Sequence, residues 1–139
     1  MSTIKKTVLI AAPPAEVFAL IADIEGMPRF SASIIEVRRV SENNYFWRAK
    51  LKGIPLEWNA VIDKKEEPEY LSWHSISGLD NRGEYRLEAQ QDGTTRVTLL
   101  MEYHLHPQII EKALHIIIDE LIEDIYAEIL SKIKKELER

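Results

Sequence analysis

The sequence predicts an α+β fold: seven antiparallel strands, two short helices after the first strand, and one long C-terminal helix. Three observations carry this. Apolar residues recur at every second position, between clusters of turn-forming residues, from about residue 33 to residue 105. After Pro107 the spacing changes to threes and fours. Near the start, Ala12-Pro13-Pro14-Ala15-Glu16 interrupts a β-branched run and switches the period.

Residues 3–11 alternate loosely and read as strand one. Proline is tolerated in the first turn of a helix, where its missing N–H costs nothing, and Glu16 complements the positive end of the dipole. Val17, Phe18, Leu20 and Ile21 give that helix an apolar side as far as about Asp23. Gly26 and Pro28 punctuate it, and Met27 to Phe30 form a second short turn.

Strands Ser33–Val40 and Tyr45–Lys52 flank Glu42-Asn43-Asn44, where asparagine can take the left-handed conformation a hairpin needs. Gly53-Ile54-Pro55, Lys64–Pro68, Gly78–Gly83 and Asp92-Gly93 close the hairpins that follow. The last two strands cover about Gly83–Ala89 and Thr95–Leu105. Beyond Pro107, Ile110, Leu114, Ile117, Ile118, Leu121, Ile122, Ile125, Ile129 and Ile133 form a helical stripe. Acidic residues lie between them, and Lys132, Lys134, Lys135 and Arg139 suit the negative end of the dipole. Thirty-odd residues at about 1.5 Å each would span some 45 Å, enough to cross a sheet.

The strand parity puts Trp47, Trp58 and Trp73 on one face, because side chains two apart point the same way. Placing Ala49 opposite Trp58 would also bring Lys50 to Glu57 and Phe46 to Val61, which are favourable cross-strand pairs. In that register Trp47, Ala60 and Trp73 share a row, and Ala49, Trp58 and Ser75 form the next.

At 139 residues the chain reads as a single domain, residues 1–139, able to bury a core without staples. It has no cysteine, which removes disulfides, thiolate metal sites and cysteine nucleophiles and fits a cytoplasmic location. A net charge of −5 argues against nucleic acid as a partner, since that needs a basic footprint. No window approaches the roughly 20 apolar residues of a membrane span, so stable membrane insertion is not expected.

The segment TVLIAAPPAEVFALIADIEGMPRF resembles the opening of the polyketide cyclase/dehydrase and coenzyme-Q-binding branches of the START-like (SRPBCC) superfamily. Leu71-Ser-Trp73-His-Ser75-x-x-Gly78, Asn81-x-Gly83-x-Tyr85-x-Leu87, Thr95-Arg96-Val97 and Tyr103 resemble its later pattern, so the likeness covers nearly the whole chain. It implies a helix-grip fold, with a curved seven-stranded sheet wrapped around the C-terminal helix and a cavity between them. The inward parity would then line that cavity with Ile35, Val37, Trp47, Ala49, Trp58, Ala60, Leu71, Trp73, Ser75, Tyr85, Leu87, Leu99, Met101 and Tyr103. Leu114, Ile118 and Leu121 would form the roof.

The aromatic row is the main ligand-binding candidate, because aromatic rings give large apolar contact and tryptophan and tyrosine add a polar handle. Arg39 joins it if the first hairpin loop has three residues; a two-residue loop turns Val40 inward instead. A buried guanidinium there would anchor a carboxylate, phosphate or enolate. Ser75, Tyr85 and Tyr103 could orient a polar group, but tyrosine with an ordinary pKa near 10 is a poor base. His74, His104 and His106 read as outward, and His115 has no suitably spaced carboxylate, so no metal site is expected. No phosphate loop, nucleophile elbow or inward carboxylate pair is present, and no catalytic set or cofactor is assigned. Ile116, Tyr126, Leu130 and Leu137 lie off the main stripe of the last helix, a second apolar side that suits a homodimer contact or partner surface.

The resemblance implies binding or carriage of a hydrophobic small molecule: a lipid, an isoprenoid quinone or a polyketide-like compound. The alternative is an aromatic polyketide cyclase or dehydratase, with Arg39, Ser75, Tyr85 or Tyr103 polarising carbonyls. The acidic charge disfavours a third role, that of a ribosome-associated relative.

Overall fold

Seven antiparallel strands in the order β1-β7-β6-β5-β4-β3-β2 form one sheet in the computed structural model, which describes residues 2–106 and 112–139. The chain runs through β1 (Ser2–Ile10), α1 (Pro14–Ala22), a 3₁₀ helix (Ile24–Arg29) and β2 (Ile34–Ser41). It continues through β3 (Asn44–Leu51), β4 (Ile54–Glu66), β5 (Tyr70–Gly78), β6 (Asp80–Ala89), β7 (Thr95–His104) and α2 (Lys112–Leu137). Strands β1 and β2 are neighbours in sequence yet lie at opposite edges, so α1 and the 3₁₀ helix carry the chain across the sheet. Pro14 occupies the first turn of α1, and Val17, Phe18 and Ile21 bury its apolar side. The expected residues 107–111 of the last helix lie outside the described residues; its 26 described residues span about 39 Å.

The core lies between the concave face of the sheet and α2. Ile118, Ile122, Ile125, Ile129 and Ile133 are buried there, and so are Tyr126 and Leu130. The expectation that Tyr126 and Leu130 form an outward second side is therefore corrected. A curved sheet contacts more than one stripe of the helix it grips, so both residues face the core. Ile117, expected in the stripe, is exposed beside Ile116.

Polar contacts fix the helix along β1 and β7. Tyr103 donates its hydroxyl to Asp119 Oδ1 at 2.6 Å, and Ser2 Oγ donates to the same oxygen at 3.2 Å. Lys6 pairs with Glu123 at 2.7 Å. At the far end, Lys134 Nζ donates to the Leu9 carbonyl at 2.7 Å, and the Ala11 N–H donates to Glu138 at 2.8 Å.

Two register details depart from expectation. Leu51 pairs with Ile54, and Lys52 and Gly53 between them both have positive φ, 47° and 83°. That is the two-residue primed turn whose twist matches the strands. It places Trp47 opposite Trp58 and Ala49 opposite Leu56, not Ala49 opposite Trp58. Phe46 consequently faces Asn59 and Lys50 faces Pro55, while Arg48 faces Glu57. On β2, an irregularity between Ile34 and Glu36 lets Ile34 and Val37 both point inward, leaving Ile35 exposed. One extra residue in a strand reverses parity beyond it.

Candidate functional site

The corrected register brings Trp47 and Trp58 face to face, with ring centroids 5.5 Å apart and planes 13° from parallel. Tyr45, Ala60 and Ser75 form one adjacent row. Trp73 pairs instead with Ile62 and Gly83. The expected rows are therefore replaced by a stacked tryptophan pair and, beyond Ala60, a separate Trp73.

Around these rings lies a cavity of about 40 Å³. The sheet contributes Tyr45, Trp47, Trp58, Ala60, Ile62, Leu71, Trp73 and Tyr85; Ile21, Ile24 and Met27 come from α1 and the 3₁₀ helix, and Tyr126 from α2. A second void of about 20 Å³ lies deeper, beside Ala49, Met101, Ile122 and Ile125. Trp47, Trp58 and Tyr126 line both voids and so form the wall between them. Tyr45, Trp47, Ile62 and Trp73 are on the inner face but only half-buried, which marks the mouth.

Trp73 is held by a local polar clamp. Its indole N–H donates to Asn81 Oδ1 at 3.0 Å, Asn81 Nδ2 donates to the Leu79 carbonyl at 2.8 Å, and the Asn81 N–H donates to Ser75 Oγ at 2.9 Å. Asn81 is 3% exposed with its side chain satisfied at both ends. The sequence places Asn81 in the Gly78–Gly83 turn, whereas it lies on β6, eight residues from Trp73, and nothing in the local sequence signals the bond. Gly83 makes room for the indole, since a Cβ there would lie 2.6 Å from the Trp73 ring. The ring then reaches Tyr85, with centroids 5.6 Å apart.

Of the candidate ligand residues, Trp47, Trp58, Ala60, Trp73 and Tyr85 line the larger cavity, and Met101 lines the deeper void. Leu99, Leu114 and Ile118 line neither, and Leu114 and Ile118 lie on α2 toward its N-terminal side of the residues that do. The Ser75 hydroxyl is engaged by Asn81 and the Tyr103 hydroxyl by Asp119. Arg39 pairs with Tyr45 and so shares its face, but lies exposed at the rim. Its backbone N–H donates to Glu25 and its Nε to the Ser41 carbonyl at 3.4 Å. Reading α2 as a single stripe leaves out Tyr126, and the expected lining takes nothing from α1 or the 3₁₀ helix, which supply Ile21, Ile24 and Met27.

The electrostatics are those of a neutral, apolar-lined chamber. The lining holds no carboxylate, imidazole, ammonium or guanidinium among the described residues. Burial pushes the phenols of Tyr85 and Tyr126 well above their ordinary range, and each stays protonated. Outside the chamber, His74 Nδ1 lies 2.6 Å from Asp63 on the solvent face, and His104 meets His106 edge to face at 4.8 Å. No group of three or more metal-ligating side chains occurs among the described residues. None of the described helices is long and apolar enough to cross a membrane.

A curved antiparallel sheet gripping a C-terminal helix over an apolar chamber defines a START-like helix-grip protein. Residues 10–128 match the model of the polyketide cyclase/dehydrase and lipid transport family, and the chain belongs to that family. Solved structures share the fold. A Thermus thermophilus protein is 20% identical with a TM-score of 0.85, over 98% of this chain and 97% of that one. A START superfamily protein from Mycobacterium smegmatis is 10% identical, TM-score 0.80, over 98% and 97%. The Zhui aromatase/cyclase of Streptomyces sp. R1128 is 15% identical, TM-score 0.80, over 99% and 94%. Among curated proteins, none matches in sequence.

Proposed function

We propose that the protein binds a hydrophobic small molecule, of lipid, isoprenoid quinone or polyketide-like type, between the sheet and α2. The observation that carries this reading is the chamber itself: six aromatic and six aliphatic residues converge on one space with no charged group among them. Pockets of that texture are typical of small-molecule sites. Family membership supports the same reading.

The volumes say how such a ligand would be accommodated. About 40 Å³ suits one or two waters, whereas small-molecule pockets are commonly about 300–1,000 Å³. A ligand therefore enters by displacing the half-buried mouth residues Tyr45, Trp47, Ile62 and Trp73. Swinging Tyr126 or the Trp47–Trp58 pair aside merges the two voids. A cyclase or dehydratase has less support, because Arg39 lies outside the chamber and the Ser75 and Tyr103 hydroxyls that would polarise a carbonyl are engaged by Asn81 and Asp119.

Native mass spectrometry of protein purified without detergent, followed by organic extraction, tests the proposal. A co-purifying apolar compound of defined mass is expected. A protein that carries nothing, and whose indole N–H NMR signals do not move on titration with fatty acids, quinones or aromatic ketones, would refute it.

A further inference from the structure

Among the described residues, Trp47, Trp58 and Tyr126 are the three common to both voids, so a chain passing from one void to the other must pass them. This partition has a sheet half and a helix half. Trp47 and Trp58 stand opposite each other on β3 and β4 with their rings stacked. Tyr126 comes from α2, in the layer that covers the sheet. Behind the partition, apart from these three rings, the described lining is aliphatic, including Ile34, Ala49, Leu51, Met101 and Ile125. Nothing polar there bars an apolar chain; a ring does.

The two sides of the larger void differ in how they yield. On the mouth side Tyr45, Ile62 and Trp73 are half-buried and have solvent to retreat into. On the inner side Trp58 and Tyr126 are 8% and 9% exposed and have none. A ring moved inside a close-packed interior must push its neighbours off their own contacts, which resists the motion. The helix that carries Tyr126 is also tied down within two turns of it. Asp119 accepts from Tyr103 at 2.6 Å, and Glu123 pairs with Lys6 at 2.7 Å. A guest therefore opens the mouth before it opens the partition.

Resting on the hydrophobic-ligand reading, we infer that Tyr126 is the specificity-determining residue of the chamber, its ring being the stop that limits how long an apolar chain the chamber takes. The tryptophans share the partition but cannot be cut back as cleanly. Each would lose its stacking partner, and Trp47 also belongs to the mouth. Shortening Tyr126 joins the voids and leaves the sheet intact.

Straight-chain alcohols from 1-butanol to 1-decanol, neutral and of one shape, test this. Affinity is read from the indole N–H NMR signals. Each methylene that enters should tighten binding about fourfold; once the tail meets the stop, the gain should fall to less than about twofold. The methionines report where the tail ends, since Met27 lines the larger void and Met101 the deeper one. With carbon-13 methionine methyls, the wild type should show Overhauser contacts from the alcohol's terminal methyl to Met27 and none to Met101. In Tyr126→Leu and Tyr126→Ala the break should move to longer chains and the Met101 contact should appear. Ile118→Val, whose side chain lines neither void, should leave the break in place.

An unbroken fourfold rise through 1-decanol in the wild type, or a wild-type contact to Met101, would overturn the stop and leave hydrophobic binding standing. So would a break that both Tyr126 variants leave unmoved, or one that Ile118→Val moves equally. Failure of every alcohol to bind would overturn the stop and the ligand-binding reading together. The break and the Met101 contact are measured first on the wild type, so a poorly folded variant does not protect the inference.

Discussion

Replacing Gly83 with alanine tests how the chamber wall is built. Gly83 lies opposite Trp73, and its backbone is of a kind other residues adopt, so space alone decides the outcome. A Cβ would sit 2.6 and 2.7 Å from two indole carbons and 2.8 Å from the Leu100 carbonyl oxygen. The indole is not free to retreat: Asn81 holds its N–H at 3.0 Å, and Tyr85 packs on its ring. Overpacking of this kind costs about 1–3 kcal/mol. Loss of glycine's freedom in the unfolded chain offsets about 0.4–1 kcal/mol of that. The net expectation is a destabilisation of about 1–2 kcal/mol, read as a lower urea midpoint at unchanged slope. In a Trp73→Ala background the methyl meets only the Leu100 carbonyl, so a coupling of about 1 kcal/mol should appear in the double-mutant cycle. A stabilising Gly83→Ala, or the same cost with and without Trp73, would show that the glycine does not serve the indole.

Gly78→Ala should be worse, about 3 kcal/mol or more by urea unfolding, because φ is +76° and the Cβ would lie 2.1 Å from the Glu57 carbonyl oxygen; a normal midpoint would contradict the close approach of these strands. Tyr103→Phe removes the 2.6 Å bond to Asp119 and should cost about 1–2 kcal/mol. An unchanged thermal midpoint would place that tie outside the stability of the fold. The phenols of Tyr85, Tyr103 and Tyr126 are all raised in the folded state, by burial first and, for Tyr103, then by its bond to Asp119. Groups raised on folding stabilise fully below the unfolded pKa of about 10 and lose that contribution as pH climbs above it. Urea midpoints should therefore fall above about pH 10, and less steeply in Tyr85→Phe/Tyr126→Phe. A flat profile from pH 9 to 11 would mean that these hydroxyls ionise as freely as in the unfolded chain.

Legibility of the sequence followed the range of the forces involved. Alternation is local, so the strands, the two short helices and the long helix could be read from residues a few positions apart. Register is not local: the left-handed Lys52 beside Gly53 and the irregularity after Ile34 each shifted partners, since most residues avoid positive φ and only the glycine advertised the turn. The aromatic face was legible because its parity is local. The identity of its neighbours depended on tertiary packing, which brought in Tyr126 and the apolar side of α1 and excluded Tyr103 and Ile118. Arg39 illustrates the limit. Its pairing with Tyr45 gives it the inward parity, yet strand-end position leaves it in solvent.

The placement of β1 has a kinetic consequence. Ser2 pairs with Tyr103 and Ile10 with Thr95, while the strand that follows in sequence closes the opposite edge. During synthesis the first strand therefore leaves the ribosome long before its partner exists. Strands β2 to β7, each beside its sequence neighbour, can zip as a meander in the meantime. Capture of the waiting strand requires closing the longest loop of any strand pair in the sheet. The β7 edge stays open to other chains until then, and that interval is when crowded nascent molecules would exchange first strands or aggregate.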